Sequence, residues 1–121
     1  MVRVESDTSK NLLRIAFSEH VGPDDARIGV EEMRQLLCDL SPGFRLVADL
    51  SNLDFMDVAC AEHLKRSMDL CNKAGVSKVI RIIPDPQKDI GLNIMSKFHY
   101  RREIPIVTCD SEAEAMRVLA E

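Results

Sequence analysis

The fold is decided at residues 49–60, which read Asp49-Leu50-Ser51-Asn52-Leu53-Asp54-Phe55-Met56-Asp57-Val58-Ala59-Cys60. An apolar run, residues 44–48, leads into this stretch, and an amphipathic segment, residues 61–74, follows it. The pattern predicts a buried strand over residues 44–50, an acidic loop over residues 51–57, and then a helix. A carboxylate accepts hydrogen bonds from the unpaired amides of a helix N-terminus, so we expect Asp57 to cap this helix.

Strand and helix patterns alternate on both sides of this stretch, after an opening pair of strands. The predicted order is β-β-α-β-α-β-α-β-α, which defines an α/β fold with an N-terminal hairpin and a mostly parallel core in one mixed sheet. No shift in composition divides the chain, so residues 1–121 are expected to form a single domain. The flanking predicted elements are strands at 2–4 and 12–17, a helix at 22–40, a strand at 76–83, a helix at 89–98, a strand at 104–107, and a helix from 111 onward. Gly75 is expected to end the helix that begins at residue 61. The helical period predicts buried faces formed by Ala26, Val30, Met33, Leu37 and Leu40 in the first helix and by Ala115, Met116 and Leu119 in the last.

The composition excludes several classes of function. The chain has 121 residues, a net charge of −4, one Tyr, four Phe and no Trp. A net negative charge argues against general nucleic-acid binding, since phosphate backbones attract a surplus of Lys and Arg. No apolar run approaches the roughly 20 residues that span a bilayer, and the first residues lack a signal-peptide pattern. We therefore predict a cytoplasmic protein that does not insert into membranes.

The four cysteines predict neither zinc binding nor thioredoxin-like redox chemistry, because no two of them form a Cys-x-x-Cys pair. Each lies in an apolar context, so we expect four buried, reduced thiols that pack as small apolar groups. They are Cys38, Cys60, Cys71 and Cys109.

Candidate chemistry in this chain is sparse. The first loop between a parallel strand and a helix contains no glycine, which argues against a dinucleotide or phosphate loop. Asp57, Cys60 and His63 have a spacing that three zinc ligands on one helix could use, but capping by Asp57 and packing by Cys60 explain the same residues. Surface or structural roles likewise explain Asp49 and Asp54. The sequence therefore predicts no catalytic residue, no metal and no cofactor.

The order of elements and the motif at residues 49–57 together resemble the STAS domain family, which includes bacterial anti-sigma factor antagonists and the tails of sulfate transporters. Asp49-Leu50-Ser51 and Leu53-Asp54-Phe55-Met56-Asp57 match the family motif, and Ser111-Glu112-Ala113-Glu114-Ala115 resembles the start of its last helix. The resemblance covers essentially the whole chain. It implies a STAS-like (SpoIIAA-like) fold and a regulatory, non-enzymatic signalling module that binds a protein partner, such as a kinase-like anti-sigma factor or a sensor scaffold.

The chain departs from the family at the position that matters most for regulation. Where the family has Ser-Ser-Gly, this chain has Val58-Ala59-Cys60. In the antagonists one of those serines is phosphorylated by a partner kinase, and the phosphate adds nearly two negative charges at a helix start. Val58 and Ala59 cannot carry a phosphate. Ser51 and Ser67 remain as other hydroxyl groups.

Two interpretations stay open from the sequence. In the first, a protein partner binds the surface around the motif. In the second, a STAS-like domain binds a small molecule or lipid, or acts as an unrecognised enzyme, in a cleft at the strand ends that holds Asp57, Cys60 and His63. A homodimer through the hairpin or the apolar loop is compatible with both, because an edge strand is otherwise exposed. The candidate partner-binding residues are Asp49, Ser51, Leu53, Asp54, Phe55, Met56, Asp57, Val58, Ala59 and Cys60.

Overall fold

The structure is a computed structural model that describes residues 1–85 and 100–121. The helix predicted at residues 89–98 lies outside the described residues. A 3-10 turn, Val58–Cys60, precedes the second helix. The regular elements are β1 (Val2–Asp7), β2 (Leu12–Val21), α1 (Pro23–Leu37), β3 (Arg45–Met56), α2 (Ala61–Ala74), β4 (Lys78–Ile82), β5 (Ile106–Cys109) and α3 (Glu112–Leu119).

The strands form one mixed sheet in the order β1-β2-β3-β4-β5. β1 pairs antiparallel with β2, whereas β2 with β3, β3 with β4, and β4 with β5 pair in parallel. A parallel pair needs a long crossover, and α1 and α2 supply it for the two central pairs. The predicted fold class is therefore confirmed: an antiparallel hairpin opens a mostly parallel sheet.

Helices lie on both faces of the sheet. Alternate side chains of a strand point to opposite faces, and β3 shows this division clearly. Leu46 belongs to the core under α1 and α2, while its neighbour Val47 packs with Ala115 of α3 on the other face. Among the described residues, α3 covers this second face mainly near β4 and β5. The opposite side of the β1–β3 half carries Arg3, Arg14 and Asp49 around a polar depression.

β3 is longer than the sequence analysis predicted. The acidic loop expected at residues 51–57 is wrong, because the strand continues to Met56 and stays paired with β2 as far as Val21. The register slips twice along this pairing, and each slip inserts one extra residue into β3. Such bulges break the two-residue alternation. The buried residues consequently recur every third position, at Leu50, Leu53 and Met56, a spacing that does not look like a strand in the sequence.

Two glycines, one within α1 and one at the end of α2, are required by the backbone conformation and the packing of the helices. Gly75 ends α2 with a φ of 89°, the left-handed conformation that glycine adopts without steric cost. Gly29 is buried in α1 against β1, and a Cβ at this position would lie 2.8 Å from Cγ1 of Val2. The missing side chain at position 29 therefore lets α1 approach the first strand.

Arginines from the sheet hold α3 at both ends. Arg14 donates to both carboxylate oxygens of Glu112, at 2.9 and 2.7 Å, and its Nη2 donates to Asp49 at 2.8 Å. The hydrogen bonds to Glu112, followed by the charges of Glu112 and Asp49, raise the pKa of the Arg14 guanidinium. At the other end, Arg45 donates to the Leu119 carbonyl at 2.7 Å, where cations interact favourably with the helix dipole.

Two expectations about burial are corrected. Met116 of α3, which the helical pattern placed on the inward face, is exposed. Cys38 is exposed as well, whereas Cys60, Cys71 and Cys109 are buried. The helical period does not show where a helix stops packing against its neighbours. Met116 lies on α3, which covers only part of the sheet, and Cys38 follows the last turn of α1.

Ser67 is buried and its hydroxyl donates to the Leu64 carbonyl at 2.6 Å, which leaves Ser51 as the more accessible of the two alternative hydroxyls.

Candidate interaction surface

Two aromatic rings lie side by side near the carboxyl ends of the parallel strands β2 and β3. His20 of β2 is in register with Phe55 of β3. Their rings stack with centroids 5.1 Å apart and an interplanar angle of 27°. Both side chains are exposed, and Phe55 retains 55% of its accessible surface. The second bulge of β3 produces this arrangement, because the inserted residue turns Asp54 and Phe55 both toward solvent.

Asp57 begins the 3-10 turn that follows β3. Its backbone N–H donates to the Val21 carbonyl at 3.0 Å, which fixes the end of β3 against the end of β2. Its side-chain Oδ1 accepts a hydrogen bond from the Ala59 N–H at 2.9 Å. The cap predicted from the sequence is therefore confirmed, although it caps the short turn before α2 rather than α2 itself.

The turn presents two apolar side chains to solvent. Val58 is 86% exposed, the highest value among the large apolar residues that are exposed in the described chain, and Ala59 beside it is exposed too. We call the exposed residues at this end of the sheet the tip surface. It comprises His20, Asp54, Phe55, Val58 and Ala59.

The ten residues predicted for partner binding separate into four groups. Asp54, Phe55, Val58 and Ala59 belong to the tip surface. Asp57 positions the turn. Leu53, Met56 and Cys60 are core residues. Asp49 lies just before the first bulge and Ser51 within it. Asp49 pairs with Arg14 on the sheet face opposite α1 and α2, and its Oδ1 accepts a hydrogen bond from the Ser51 N–H at 2.9 Å.

Asp57, Cys60 and His63 do not come together as ligands. Within residues 1–85 and 100–121, no group of three His, Cys, Asp or Glu side chains is placed to hold a metal ion. The Cys60 thiol points inward at the Val21 carbonyl, with a sulfur–oxygen distance of 3.5 Å. Burial, and secondarily the Asp57 charge, raises the pKa of this thiol, which disfavours the thiolate that binds metal or attacks a substrate.

A pocket of about 40 Å³ lies elsewhere, between the sheet and the helices. Its lining is mostly apolar and includes Phe17, Met33, Leu50, Met68 and Tyr100. Drug-sized ligands need pockets of several hundred Å³. The pocket is therefore too small to be the ligand cleft considered in the second interpretation, and none of Asp57, Cys60 and His63 lines it.

The role of His20 in this surface was not predicted from the sequence. No motif surrounds this histidine, and all of α1 and most of β3 separate it from Phe55 along the chain. Only the parallel pairing of β2 with β3, together with the bulges that set its register, places the two rings side by side.

Replacing the cap tests the local structure of the turn. Asp57→Ala removes the acceptor for the Ala59 N–H, and we expect it to lower the free energy of unfolding by about 1 kcal/mol. Asp57→Asn, which retains a side-chain acceptor, should lose much less. Urea denaturation of both variants measures the difference. Equal losses for Ala and Asn would show that the hydrogen bond does not account for the effect.

Solved structures share this fold over nearly the whole chain. The anti-sigma factor antagonist SpoIIAA in its unphosphorylated form is similar to this chain with a TM-score of 0.66 and 16% identity, over 99% of this chain and 98% of that one. The Bacillus cell fate determinant SpoIIAA in the phosphorylated form gives 0.64 and 15%, over 98% and 99%. A DUF3478-family protein from Shewanella loihica, described as uncharacterised and SpoIIAA-like in fold, gives 0.72 and 12%, over 98% and 92%.

These similarities show that the chain is a STAS-like domain in fold, as the motif at residues 49–57 indicated. No protein-family model matches the chain, and no curated protein matches it. In the part of the chain that the structure describes, no helix is both long enough and apolar enough to cross a bilayer.

Proposed function

We propose that this protein is a non-enzymatic regulatory module that binds a protein partner through the tip surface. The observation that carries the proposal is the 86% exposure of Val58. Isolated exposed apolar side chains are common on protein surfaces. Here, however, Val58 follows Phe55 by three residues, and both project from the end of the sheet that forms sites in α/β folds. Burial of these side chains against a partner would contribute favourable free energy.

The second element of the proposal is that this binding is not controlled by phosphorylation at the turn. In the family motif, the two positions after Asp57 are serines, and phosphorylation there can block a docked partner. Val58 and Ala59 lack the hydroxyl. We infer that the partner always meets an apolar surface at this turn. The fraction of this protein that is bound to its partner then depends on the concentrations of the two proteins rather than on a kinase acting at this site.

The class of partner follows from the similarity to anti-sigma factor antagonists. We infer a kinase-like anti-sigma factor or a sensor scaffold in a bacterial cytoplasm. What supports this inference is the shared fold with SpoIIAA together with the exposed position of Val58. The proposal does not require a catalytic residue, a metal or a cofactor.

A charge placed in the tip surface tests the proposal. Val58→Asp should weaken binding of the partner by about 30-fold or more, because a carboxylate would be buried without a counter-charge at the centre of the contact. The partner is first isolated from the native host with the tagged wild-type protein, and dissociation constants are then measured with purified components. The native mass of the purified protein is recorded in parallel to reveal any bound small molecule.

Met116→Asp is the matched control. It introduces the same charge at another exposed apolar residue, 52% exposed against 86% for Val58, on α3 and therefore on the other face of the sheet. We expect this variant to bind like the wild type. Equal binding by Val58→Asp and the wild type would contradict the proposal, and so would a wild-type protein that captures no partner but carries extra mass.

A further inference from the structure

The outer edge of β1 is the second feature of this molecule that is suited to association. β1 is the outermost strand of the sheet, and no strand among the described residues pairs with its outer side. Unpaired strand edges are templates for pairing with another chain, and proteins often protect them with charged residues. β1 does carry charges, at Arg3 and Glu5, but their signs alternate.

The hydrogen bonds of the hairpin define which backbone groups face outward. Met1 and Ser18 exchange hydrogen bonds between their backbone groups, at 2.9 and 2.8 Å. In an antiparallel ladder such hydrogen-bonded pairs alternate with residues that point their N–H and C=O groups the other way. The register pairs Val2 with Phe17 and Val4 with Ile15. The backbone groups of Val2, Val4 and Ser6 therefore point away from β2, toward the outer edge.

α1 packs against β1 but does not cover this edge completely. The side chains of β2 that face α1, such as Leu13 and Ile15, are buried. The corresponding side chains of β1, Val2 and Val4, are only partly buried. Their remaining exposure shows that α1 does not cover β1 completely, which leaves room for a neighbouring strand.

We propose that a second copy of this chain pairs antiparallel with β1, with the two-fold axis at Val4. Val4 then pairs with its own counterpart, and Val2 pairs with Ser6 of the second copy. All of these residues have outward-facing backbone groups, so the pairing forms about six hydrogen bonds between the two strands. The two five-stranded sheets become one continuous sheet. The interface uses no residue of the tip surface.

Charge complementarity selects this register. With the axis at Val4, Arg3 lies directly opposite Glu5 of the second copy, and the symmetry repeats the pair. These residues form the non-hydrogen-bonded pairs, in which side chains approach most closely. Both are well exposed, at 71% and 60% of the side chain, and they already lie 3.9 Å apart within one strand. Moving the axis to position 3 would place Arg3 opposite Arg3, and moving it to position 5 would place Glu5 opposite Glu5.

Charge reversal tests both the dimer and its register. We expect sedimentation velocity in reducing buffer, which prevents disulfides through the exposed Cys38, to show the wild type in a reversible monomer–dimer equilibrium. Arg3→Glu and Glu5→Arg should each weaken dimerisation by roughly tenfold or more, because each places like charges opposite one another. The double variant, Arg3→Glu with Glu5→Arg, should dimerise like the wild type.

Mixing the two single variants provides the sharpest control. An equimolar mixture of Arg3→Glu and Glu5→Arg should form a heterodimer, since every facing pair then has opposite charges. Val4→Pro, which removes an outward N–H without breaking a bond to β2, should abolish dimerisation while retaining the fold. A wild type that stays monomeric at all concentrations overturns the proposal. Single variants that dimerise like the wild type, or assembly beyond a dimer, overturn it too.

Discussion

Leu53→Ala is expected to lower the free energy of unfolding by about 2–5 kcal/mol, the range for truncating a fully buried leucine. Leu53 is 1% exposed and lies between the two bulges of β3. Truncation there would leave a cavity beneath the tip surface, at a place where the irregular backbone on both sides limits collapse. Urea denaturation followed by circular dichroism measures the loss.

This result would separate the core role of Leu53 from the partner-binding role that the sequence predicted for it. Val58→Ala is the appropriate control, because the neighbouring side chain is exposed and its truncation should change stability by no more than about 0.5 kcal/mol. A Leu53→Ala variant with wild-type stability and impaired partner binding would show that the structure assigns this residue incorrectly.

Cys38 is expected to react with a thiol reagent at least about 1,000 times faster than Cys71 in the folded protein. Burial raises the pKa of the Cys71 thiol to about 12. Since the thiolate is the reactive form, a thiol with this pKa is ionised in only about one molecule in 10,000 near pH 8, whereas Cys38 is exposed to the reagent. Restricted access to a buried sulfur slows the reaction further. Cys60 and Cys109 are buried as well, and burial raises the pKa of both thiols.

Alkylation over time, with the sites assigned by peptide mass spectrometry, measures these rates. The expected native pattern is one rapid modification, at Cys38, and three slow ones. A Cys38→Ser variant should show no rapid modification, while urea should make the remaining three cysteines reactive. Rapid alkylation of Cys71 in the folded protein would contradict the packing of α2 against the sheet.

Much of the fold could be predicted because its signals are local. The 3.6-residue period of Ala26, Val30, Met33 and Leu37 identified the buried face of α1, and all four residues are buried. Gly75 was predicted as the end of α2 and has the left-handed conformation that this role requires. Each of these features depends on the residue types within one or two turns of chain, so the sequence contains enough information to predict them.

The end of β3 could not be predicted in the same way. A strand is recognised from a two-residue alternation, and the bulges of β3 convert that alternation into a three-residue spacing. Leu50, Leu53 and Met56 consequently resembled a loop with scattered apolar residues. The sheet keeps this segment extended because β2 supplies hydrogen-bonding partners along its whole length, up to Val21, and those partners are distant in sequence.

The sequence by itself determined the class of fold, the motif that resembles the STAS family, and the absence of a hydroxyl after Asp57, because residue type and local spacing carry all three. Tertiary structure alone decided which motif residues are accessible: Leu53 and Cys60 became core, Asp49 turned to the opposite face, and His20 joined Phe55. It also placed alternating charges on an outer edge strand. The physical reason is that exposure depends on register between strands, and register is set by backbone pairing between segments far apart in the chain.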